Sequence, residues 1–295
     1  MKQILVTGGS GQVGTALMHH TWPDGWQAVA PPRADLDLAD PASIAAMVAD
    51  RPWAAVINAG AYTAVDRAET EPVVAWQVNA LGPAALAAAC KAAVIPLVHV
   101  STDYVFAGDR DGDWQVEDHT CPTSVYGASK LGGELAVRSG CPRHAIVRTA
   151  WVVSATGANF VKTMLRLGRE RPSLRIVADQ HGSPTSATEL AAALATIAMR
   201  QVNDLDAPTG TWHFSNAGAT TWHGFATEIF RQAAARGAPS PALEAITTAD
   251  FPTPARRPAN SLLSTASLTR DWGIVPTPWG EALGPILDDL IGQVQ

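Results

Sequence analysis

The first half of the chain alternates short apolar runs with helical patterns, and this alternation constrains the fold more than any other feature. Apolar runs stand at 2–7, 27–30, 54–59, 96–101 and 144–149. Helical patterns fall between them, near 12–20, 41–49, 71–93 and 124–139. The runs are apolar almost throughout, as expected when helices cover both faces of a parallel sheet. The sequence therefore predicts an α/β fold with a doubly wound, Rossmann-like parallel sheet.

The character of the sequence changes after Trp151, where proline, tryptophan and threonine become frequent. We expect a smaller C-terminal lobe to follow the first one. The predicted boundaries are 1–151 for the first lobe, and 152–173 with 217–295 for the second. The stretch 174–216 should return in part to the main sheet, with 210–215 as a late strand.

Composition and charge exclude several classes of protein. A formal net charge of -6, without a basic stripe, argues against a nucleic-acid partner. The three cysteines are scattered without metal spacing and fit reduced thiols. The N-terminus runs directly into a strand pattern, and the alanine-rich runs near 84–93 and 191–199 are too short to span a bilayer. We expect a cytoplasmic protein with neither a nucleic-acid nor a membrane partner.

Three glycines, Gly8, Gly11 and Gly14, follow the first predicted strand and open the first predicted helix. Glycine permits a tight turn and lets the backbone approach a pyrophosphate, which then lies at the positive end of the helix. A glycine turn without a ligand is the alternative. The order strand, loop, helix favours a dinucleotide site, so the first lobe should be the dinucleotide-binding domain.

The residues after the second strand bear on the choice of cofactor. No acidic residue stands directly at the strand end, where it would accept hydrogen bonds from a ribose 2′-hydroxyl. Arg33 could face a 2′-phosphate, which favours NADPH, with NADH possible; the alternative for Arg33 is a solvated surface charge. Asp37 and Leu38 should lie against the adenine, unless Asp37 caps the helix before Pro41.

Small residues at 58–61 would let the backbone pack along a dinucleotide, unless this is a plain buried strand end. The residues expected to bind the cofactor are Gly8, Gly11, Gln12, Val13, Gly14, Arg33, Asp37, Leu38, Ala59, Ala61, Tyr62, Thr63, Tyr126 and Lys130.

Tyr126 and Lys130 stand four residues apart on a predicted helix, so they share one helix face. A nearby ammonium should lower the pKa of the phenol from about 10 towards the range of an acid-base catalyst. Thr102 closes the strand before this helix, where ligands bind in open α/β sheets. We expect Thr102, Tyr126 and Lys130 to be the catalytic residues; a turn cap, a buried aromatic and a solvated charge are the respective alternatives.

The glycine loop and the Tyr-x-x-x-Lys pair resemble those of the extended short-chain dehydrogenases/reductases. A finer resemblance, to the dTDP-4-dehydrorhamnose reductase family, runs almost from end to end. It rests on VINA at 56–59, TAVDRAE at 63–69, STDYVF at 101–106, RTAWV at 148–152, NFVKTML at 159–165, DQHGSPT at 179–185 and PTPARRPANS at 252–261.

This resemblance implies a reaction, the NAD(P)H-dependent reduction of the C4 ketone of dTDP-4-dehydro-6-deoxy-L-mannose to dTDP-L-rhamnose. Tyr126 would donate the proton, and Lys130 would bind the nicotinamide ribose. Trp151 would pack on the sugar, unless it belongs to the core, and a surface salt-bridge pair is the alternative for Arg256 and Arg257. The residues expected to bind the substrate are Thr102, Asp103, Tyr126, Trp151, Asn159, Phe160, Gln180, Arg256 and Arg257.

Two departures refine this implication. Related dehydratases carry Thr-Asp-Glu at the strand end, whereas Tyr104 occupies the third position here, which disfavours elimination. Some family members dimerise around magnesium held by acidic residues, but Ala16 replaces one of them, while Glu189 remains and Asp288 or Asp289 could match the third. We expect no required metal and a monomer.

Two alternatives to this reaction stay open at the level of sequence. The chain could reduce or epimerise another nucleotide-sugar, since an epimerase uses the same cofactor and regenerates it. It could also be a non-catalytic, NADP-binding regulatory subunit of another enzyme, since such a relative can keep Tyr126 and Lys130.

Overall fold

The computed structural model describes residues 1–292. Its strands are β1 (Lys2–Thr7), β2 (Trp26–Val29), β3 (Ala55–Asn58), β4 (Leu97–Thr102), β5 (His144–Thr149), β6 (Val152–Val153), β7 (Ser173–Val177), β8 (His181–Gly182), β9 (Thr185–Ser186), β10 (Gly210–His213), β11 (Thr220–Thr221) and β12 (Ala242–Ile246). Its α-helices are α1 (Gln12–His19), α2 (Pro41–Ala49), α3 (Val65–Ala68), α4 (Pro72–Trp76), α5 (Gly82–Ala93), α6 (Val125–Gly140), α7 (Phe160–Glu170), α8 (Ala187–Asn203), α9 (Trp222–Ala234), α10 (Ala266–Trp272) and α11 (Trp279–Gly292).

Six strands form one parallel sheet in the order β10-β5-β4-β3-β1-β2. The chain builds outwards from β1 to β2 and then crosses to β3, so the strand order reverses between β1 and β3. A crevice opens at such a switch point, outside the carboxyl ends of the strands. The predicted doubly wound α/β fold is confirmed, and the late strand pairs with β5 as a parallel edge.

Each face of the main sheet is buried by its own layer of helices, because successive side chains of a strand point to opposite faces. Ile4 and Ile57 pack on one face with Leu190 of α8. Leu5 and Val56 pack on the other face with Leu86 of α5. All of these side chains are fully buried, and each contributes roughly 1.5–3 kcal/mol of hydrophobic stabilisation. The continuous apolar runs of the sequence reflect this double coverage.

The helical stretch across 72–93 agrees with the helix predicted near 71–93. A π-helical turn, Gln77–Leu81, joins α4 to α5, so the alanine-rich run near 84–93 belongs to one continuous helical stretch of 22 residues. By length and composition alone this stretch could cross a membrane. In the fold, α5 packs between α2 and α6 and buries Leu86 and Cys90. It therefore forms part of the helical layer over the sheet.

A second hydrophobic core forms among α7, α9 and α11, beneath a two-stranded parallel sheet of β7 and β12. Phe225, Ile229 and Phe230 of α9 lie at its centre and are 2% exposed or less. The helical stripe of α9 brings these three side chains onto one face. This core belongs to the smaller lobe.

The chain crosses between the two cores more often than the sequence predicted. In the stretch 174–216, β7 pairs with β12 in the smaller lobe and β9 pairs with β6, whereas α8 packs on the main sheet and β10 joins it. Conversely, Leu268 and Trp272 of α10 pack in the core of the first lobe. The prediction placed all of 217–295 in the second lobe, whereas the apolar face of α10 packs along the β10 edge of the main sheet.

Candidate active site

The glycine loop is held in a conformation that only glycine allows. Gly8 has φ of 70°, and a Cβ on it would lie 2.5 Å from the Cα of Gly60. A Cβ on Gly14 would overlap the carbonyl oxygen of Gly8. The turn after β1 thus packs directly against the turn after β3 and against the first residues of α1. Because these glycines carry no side chain, the backbone N–H groups at the start of α1 are accessible to a pyrophosphate.

A cleft of about 820 Å³ lies beside this loop. Six of the residues predicted to bind the cofactor line it, namely Gly8, Arg33, Asp37, Leu38, Ala61 and Tyr62. The Arg33 side chain is 79% exposed and lies 3.6 Å from the carboxylate of Asp37. An extended guanidinium at the rim remains available to a phosphate. The other predicted cofactor residues in 1–63, which do not line the cleft, are Gly11, Gln12, Val13, Gly14, Ala59 and Thr63.

The π-helical turn carries a residue that the sequence did not single out. The side chain of buried Asn79 accepts a hydrogen bond from the Tyr62 N–H at 2.8 Å and donates to the Tyr62 carbonyl at 3.0 Å. Its amide also donates to the hydroxyl of Ser129, one turn from Tyr126. Asn79 therefore links the wall of the cleft to the helix of the catalytic pair. The π-helical turn that contains Asn79 marks this position in the structure, because such turns are frequent at functional sites. The hydrophobic periodicity of the sequence does not reveal a π-helical turn.

Tyr126 lies in the first turn of α6, whose N-cap Ser124 accepts a hydrogen bond from Gly127. Tyr126 is 9% exposed, and its phenol lies near the hydroxyl of Thr102, at the end of β4. Burial raises the pKa of Tyr126 to about 12, and the nearby Thr102 hydroxyl opposes this rise. A buried phenol with this pKa is protonated at neutral pH.

The predicted effect of Lys130 on Tyr126 is wrong for this conformation. The Lys130 ammonium donates to the carbonyl of Val100 at 2.7 Å, and it is not among the groups that shift the pKa of the phenol. The two side chains share a helix face, but β4 offers the ammonium a nearer acceptor. Burial lowers the pKa of Lys130 to about 8, while Glu134 one turn away raises it.

A second cavity, of about 770 Å³, lies on the other side of Tyr104 and extends into the smaller lobe. Among the residues predicted to bind substrate, Trp151, Phe160, Gln180 and Arg257 line it. Gln180 is held in place because its amide donates to Thr248 and accepts from the indole N–H of Trp222, both at 3.1 Å. The cavity combines aromatic walls with a few fixed polar groups, as ligand sites usually do.

Trp151 occupies a strained position at the junction of the lobes. Its φ of 49° lies in the left-handed region, which costs a bulky residue roughly 1–2 kcal/mol. Its indole stacks on Trp222 with ring centroids 3.6 Å apart, and Gly182 packs close to the same ring. We expected an open aromatic face for the sugar, but Trp222 covers one face. Trp222 is a cavity residue that sequence reasoning missed.

Five predicted substrate residues do not line this cavity, namely Thr102, Asp103, Tyr126, Asn159 and Arg256. The side chain of Asn159 caps α7, and its amide donates to the Ser154 carbonyl at 2.7 Å and to Gln12 at 2.9 Å. Arg256 is exposed. Its neighbour Arg257 points into the cavity and forms an ion pair of 2.6 Å with Asp66, a residue to which the sequence assigned no role. The two arginines are therefore not equivalent.

Ala16, Glu189 and Asp289 line one smaller cavity of about 460 Å³. The carboxylate of Glu189 is already engaged, since it accepts hydrogen bonds from Asn216 at 2.6 Å and Thr277 at 2.5 Å. Within residues 1–292 no three side chains of the metal-binding types come together as a possible metal site. The residues at this position do not fit a magnesium site.

Comparison with known proteins decides the family. The family model described as "RmlD substrate binding domain" matches residues 1–291. A dTDP-4-dehydrorhamnose reductase of Burkholderia thailandensis is 44% identical, over 99% of this chain and 100% of its own. One from Sinorhizobium fredii is 42% identical over 95% of each chain. The chain belongs to the dTDP-4-dehydrorhamnose reductase family.

Solved structures of the dTDP-4-dehydrorhamnose reductase family share the whole fold. The protein of Clostridium acetobutylicum superposes with a TM-score of 0.90 at 35% identity, covering 97% of this chain and 98% of its own. The protein of Bacillus anthracis, solved in complex with NADP, gives a TM-score of 0.89 at 34% identity, covering 97% and 99%. A dTDP-glucose 4,6-dehydratase from Streptomyces venezuelae, at 17% identity, shares the fold alone. The resemblance inferred from the sequence blocks is confirmed.

Proposed function

We propose that this protein reduces the C4 ketone of dTDP-4-dehydro-6-deoxy-L-mannose with NADPH, giving dTDP-L-rhamnose. Membership of the dTDP-4-dehydrorhamnose reductase family supports the reaction class. The observation that carries the mechanism is the buried pair of Tyr126 and Thr102 at the carboxyl end of β4. Tyr104, which lines the cavity, packs edge-on against the Tyr126 ring with centroids 5.4 Å apart, and this contact supports a place for the pair beside the substrate.

The cleft beside the glycine loop is the proposed site of the dinucleotide, and its backbone cradle would hold the pyrophosphate. Arg33 at the rim would bind a 2′-phosphate, which favours NADPH. When bound, NADPH supplies the hydride that reduces the carbonyl carbon. The first lobe, 1–151 with the returning strands, would thus bind the cofactor, and the second lobe would bind the sugar nucleotide.

Tyr126 would act as the proton donor. Its raised pKa keeps the phenol protonated, so it can give a proton to the ketone oxygen as negative charge develops there. Thr102 would pack beside the phenol and help to fix its position next to the ketone, and a geometry fixed in advance is worth several kcal/mol. The phenolate left behind needs a cation nearby, and Lys130 would supply it once its ammonium leaves the Val100 carbonyl.

The cavity would hold the rest of the substrate. Trp151 and Phe160 offer apolar surface to a deoxyhexose, and Gln180 offers an amide already fixed by Trp222. Arg257 would bind the diphosphate, because a guanidinium matches phosphate oxygens in a bidentate manner. Arg256 is exposed, and its side chain would have to turn towards the same phosphates to contact them.

The test follows NADPH absorbance with dTDP-4-dehydro-L-rhamnose, for the wild type and Tyr126→Phe. The variant should lose at least ~100-fold in kcat, because the positioned acid is missing, while it still binds NADPH. Normal turnover by Tyr126→Phe would refute the role of the phenol. Purified wild type that carries stoichiometric, tightly held NAD would favour epimerisation, and a co-purifying enzyme without keto-sugar turnover would favour a regulatory subunit.

We also propose that the protein acts as a monomer without a metal. The engaged carboxylate of Glu189 and the alanine at position 16 support this proposal. Full activity in excess chelator is the expected result. Activity that chelator abolishes and magnesium restores would contradict it.

A further inference from the structure

Asp103 lies directly after the proposed catalytic Thr102 and is 4% exposed. Asp103 does not line the cavity, but its partner Ser261 does, and both oxygens of its carboxylate accept hydrogen bonds. One oxygen accepts a hydrogen bond from the Thr102 hydroxyl at 2.9 Å. The other accepts from the Ser261 hydroxyl at 2.5 Å. No ion pair to Asp103 occurs within residues 1–292, and the Thr102 and Ser261 hydroxyls are the side chains that hydrogen-bond its carboxylate.

The partner Ser261 comes from a segment that returns from the smaller lobe to the first. Asn260 of this segment donates to the carbonyls of Arg110 and Gly112, at 2.8 Å and 2.7 Å. Earlier in the same segment, Arg257 reaches Asp66. The segment that holds a substrate-cavity arginine is therefore the one that reaches Asp103, 158 residues away in sequence.

The direction of the hydrogen bonds gives Asp103 a defined effect on Thr102. A carboxylate only accepts, so it takes the single proton of the Thr102 hydroxyl. The Thr102 oxygen then presents its lone pairs, one of which accepts from the backbone N–H of Tyr104 at 3.2 Å. The Tyr126 phenol lies close enough to the same hydroxyl for it to affect the pKa of the phenol. The Thr102 hydroxyl is therefore held on two sides, by Asp103 and by the Tyr104 N–H, before a ketone arrives.

We propose that Ser261 and Asp103 form a clasp that positions the Thr102 hydroxyl beside the proposed proton donor, Tyr126. The clasp couples the sugar-binding segment of the smaller lobe to the proposed acid. Asp103 is thus a positioning residue rather than a substrate ligand. This inference rests on the proposed reduction, in which Tyr126 is the donor.

The clasp should also give the reaction a dependence on pH. Asp103 faces Tyr104 on its own turn and Tyr126 on α6, and the ion pair of Arg257 and Asp66 lies beyond Tyr104. Burial raises the pKa of Asp103 to about 6, and the bonds from Ser261 and Thr102 oppose the rise. As pH falls through about 6 the carboxylate gains a proton, turns into a donor on one side, and releases one of its two hydroxyls.

The experiment compares the wild type with Ser261→Ala, Asp103→Asn and Ser261→Thr in the keto-sugar assay. We expect kcat to fall roughly tenfold in Ser261→Ala and roughly 30-fold in Asp103→Asn, as for hydrogen bonds to a charged group, with KM and NADPH affinity nearly unchanged. Ser261→Thr keeps a hydroxyl and should stay within about threefold. The acid limb of kcat/KM near pH 6 should be absent in Asp103→Asn.

The matched control is Ser264→Ala, which makes the same chemical change three residues further along the segment, where the backbone N–H bonds Trp114. It should keep wild-type kcat. Wild-type protein without any turnover would overturn the proposed reaction, and the clasp with it. A wild type that turns over, with unchanged kcat and acid limb in Ser261→Ala and Asp103→Asn, would overturn the clasp alone. Equal losses of kcat in Ser261→Ala and Ser264→Ala, with a lowered Tm in both, would show that the serines act only through packing of the segment. That result would also overturn the clasp.

Discussion

The cleft beside the glycine loop is shaped by backbone, whereas the cavity beyond Tyr104 is shaped by side chains. In the cleft, Gly8 and Gly60 bring two turns into contact, and their position follows from the ends of neighbouring strands. In the cavity, Arg257 meets Asp66 across 191 residues of chain. A backbone site tolerates few changes of shape at the turns, while a side-chain site can lose one contact and keep the others.

The sharpest way to break this comparison is Gly14→Ala. The added Cβ would overlap the Gly8 carbonyl, so the loop must shift, and NADPH affinity should fall at least ~100-fold, or about 3 kcal/mol. Fluorescence titration with NADPH measures this. Gly280→Ala is the control, because a Cβ there meets only a carboxylate oxygen of Glu228 at 4.0 Å. Wild-type affinity in Gly14→Ala would show that the cleft is not the cofactor site.

A side-chain site should instead lose only part of its affinity. Arg257→Ala removes the proposed diphosphate contact and should raise KM for the sugar nucleotide roughly 30-fold, or about 2 kcal/mol, without changing NADPH affinity. Arg256→Ala should change KM less than about twofold, because that side chain is exposed. Steady-state kinetics on both variants checks this. Equal changes in KM for Arg257→Ala and Arg256→Ala would show that both arginines bind the substrate, as the sequence suggested.

The last expected effect concerns stability. Burial raises the pKa of Asp103 from an ordinary value of about 3.9 to about 6. The native state therefore binds this proton more tightly than the unfolded state, so the free energy of unfolding falls as pH rises from about 4 to about 6 and stays lower above that range. Asp103→Asn should be more stable than wild type at pH 8, by at most about 3 kcal/mol, the value of two pKa units, and the difference should disappear near pH 4. Thermal unfolding at both pH values measures it; a lower Tm for Asp103→Asn at pH 8 would contradict it.

The sheet and its glycine loop could be predicted because their signals are local. Continuous apolar runs mark strands buried on both faces, and a glycine-rich turn between strand and helix marks the cleft. The Tyr126 and Lys130 pair was visible as a spacing, but the acceptor that the ammonium uses, the carbonyl of Val100, belongs to a neighbouring strand. Spacing along one helix does not show what the next strand offers.

The cavity was predicted less completely, because its contacts join distant segments. Gln180 and Arg257 stood out within sequence blocks, yet Trp222, Asp66 and Ser261 acquire their roles only when the smaller lobe folds back. Asn159 looked like a substrate ligand and is a helix cap, a role that asparagine often takes at this position. Periodicity places a residue on an element, but it does not say which remote partner the element meets.

The stack of Trp151 on Trp222 has a consequence for any ligand that enters the cavity. A sugar that packs on the covered face of Trp151 must first displace the indole of Trp222. Trp222 therefore competes with the ligand for this face. An aromatic pair of this kind is worth about 0.5–1.5 kcal/mol beyond the area it buries. Only a ligand whose apolar face compensates for the loss of this stacking will separate the two rings. A small polar molecule leaves the stack intact and gains no contact with that face of Trp151.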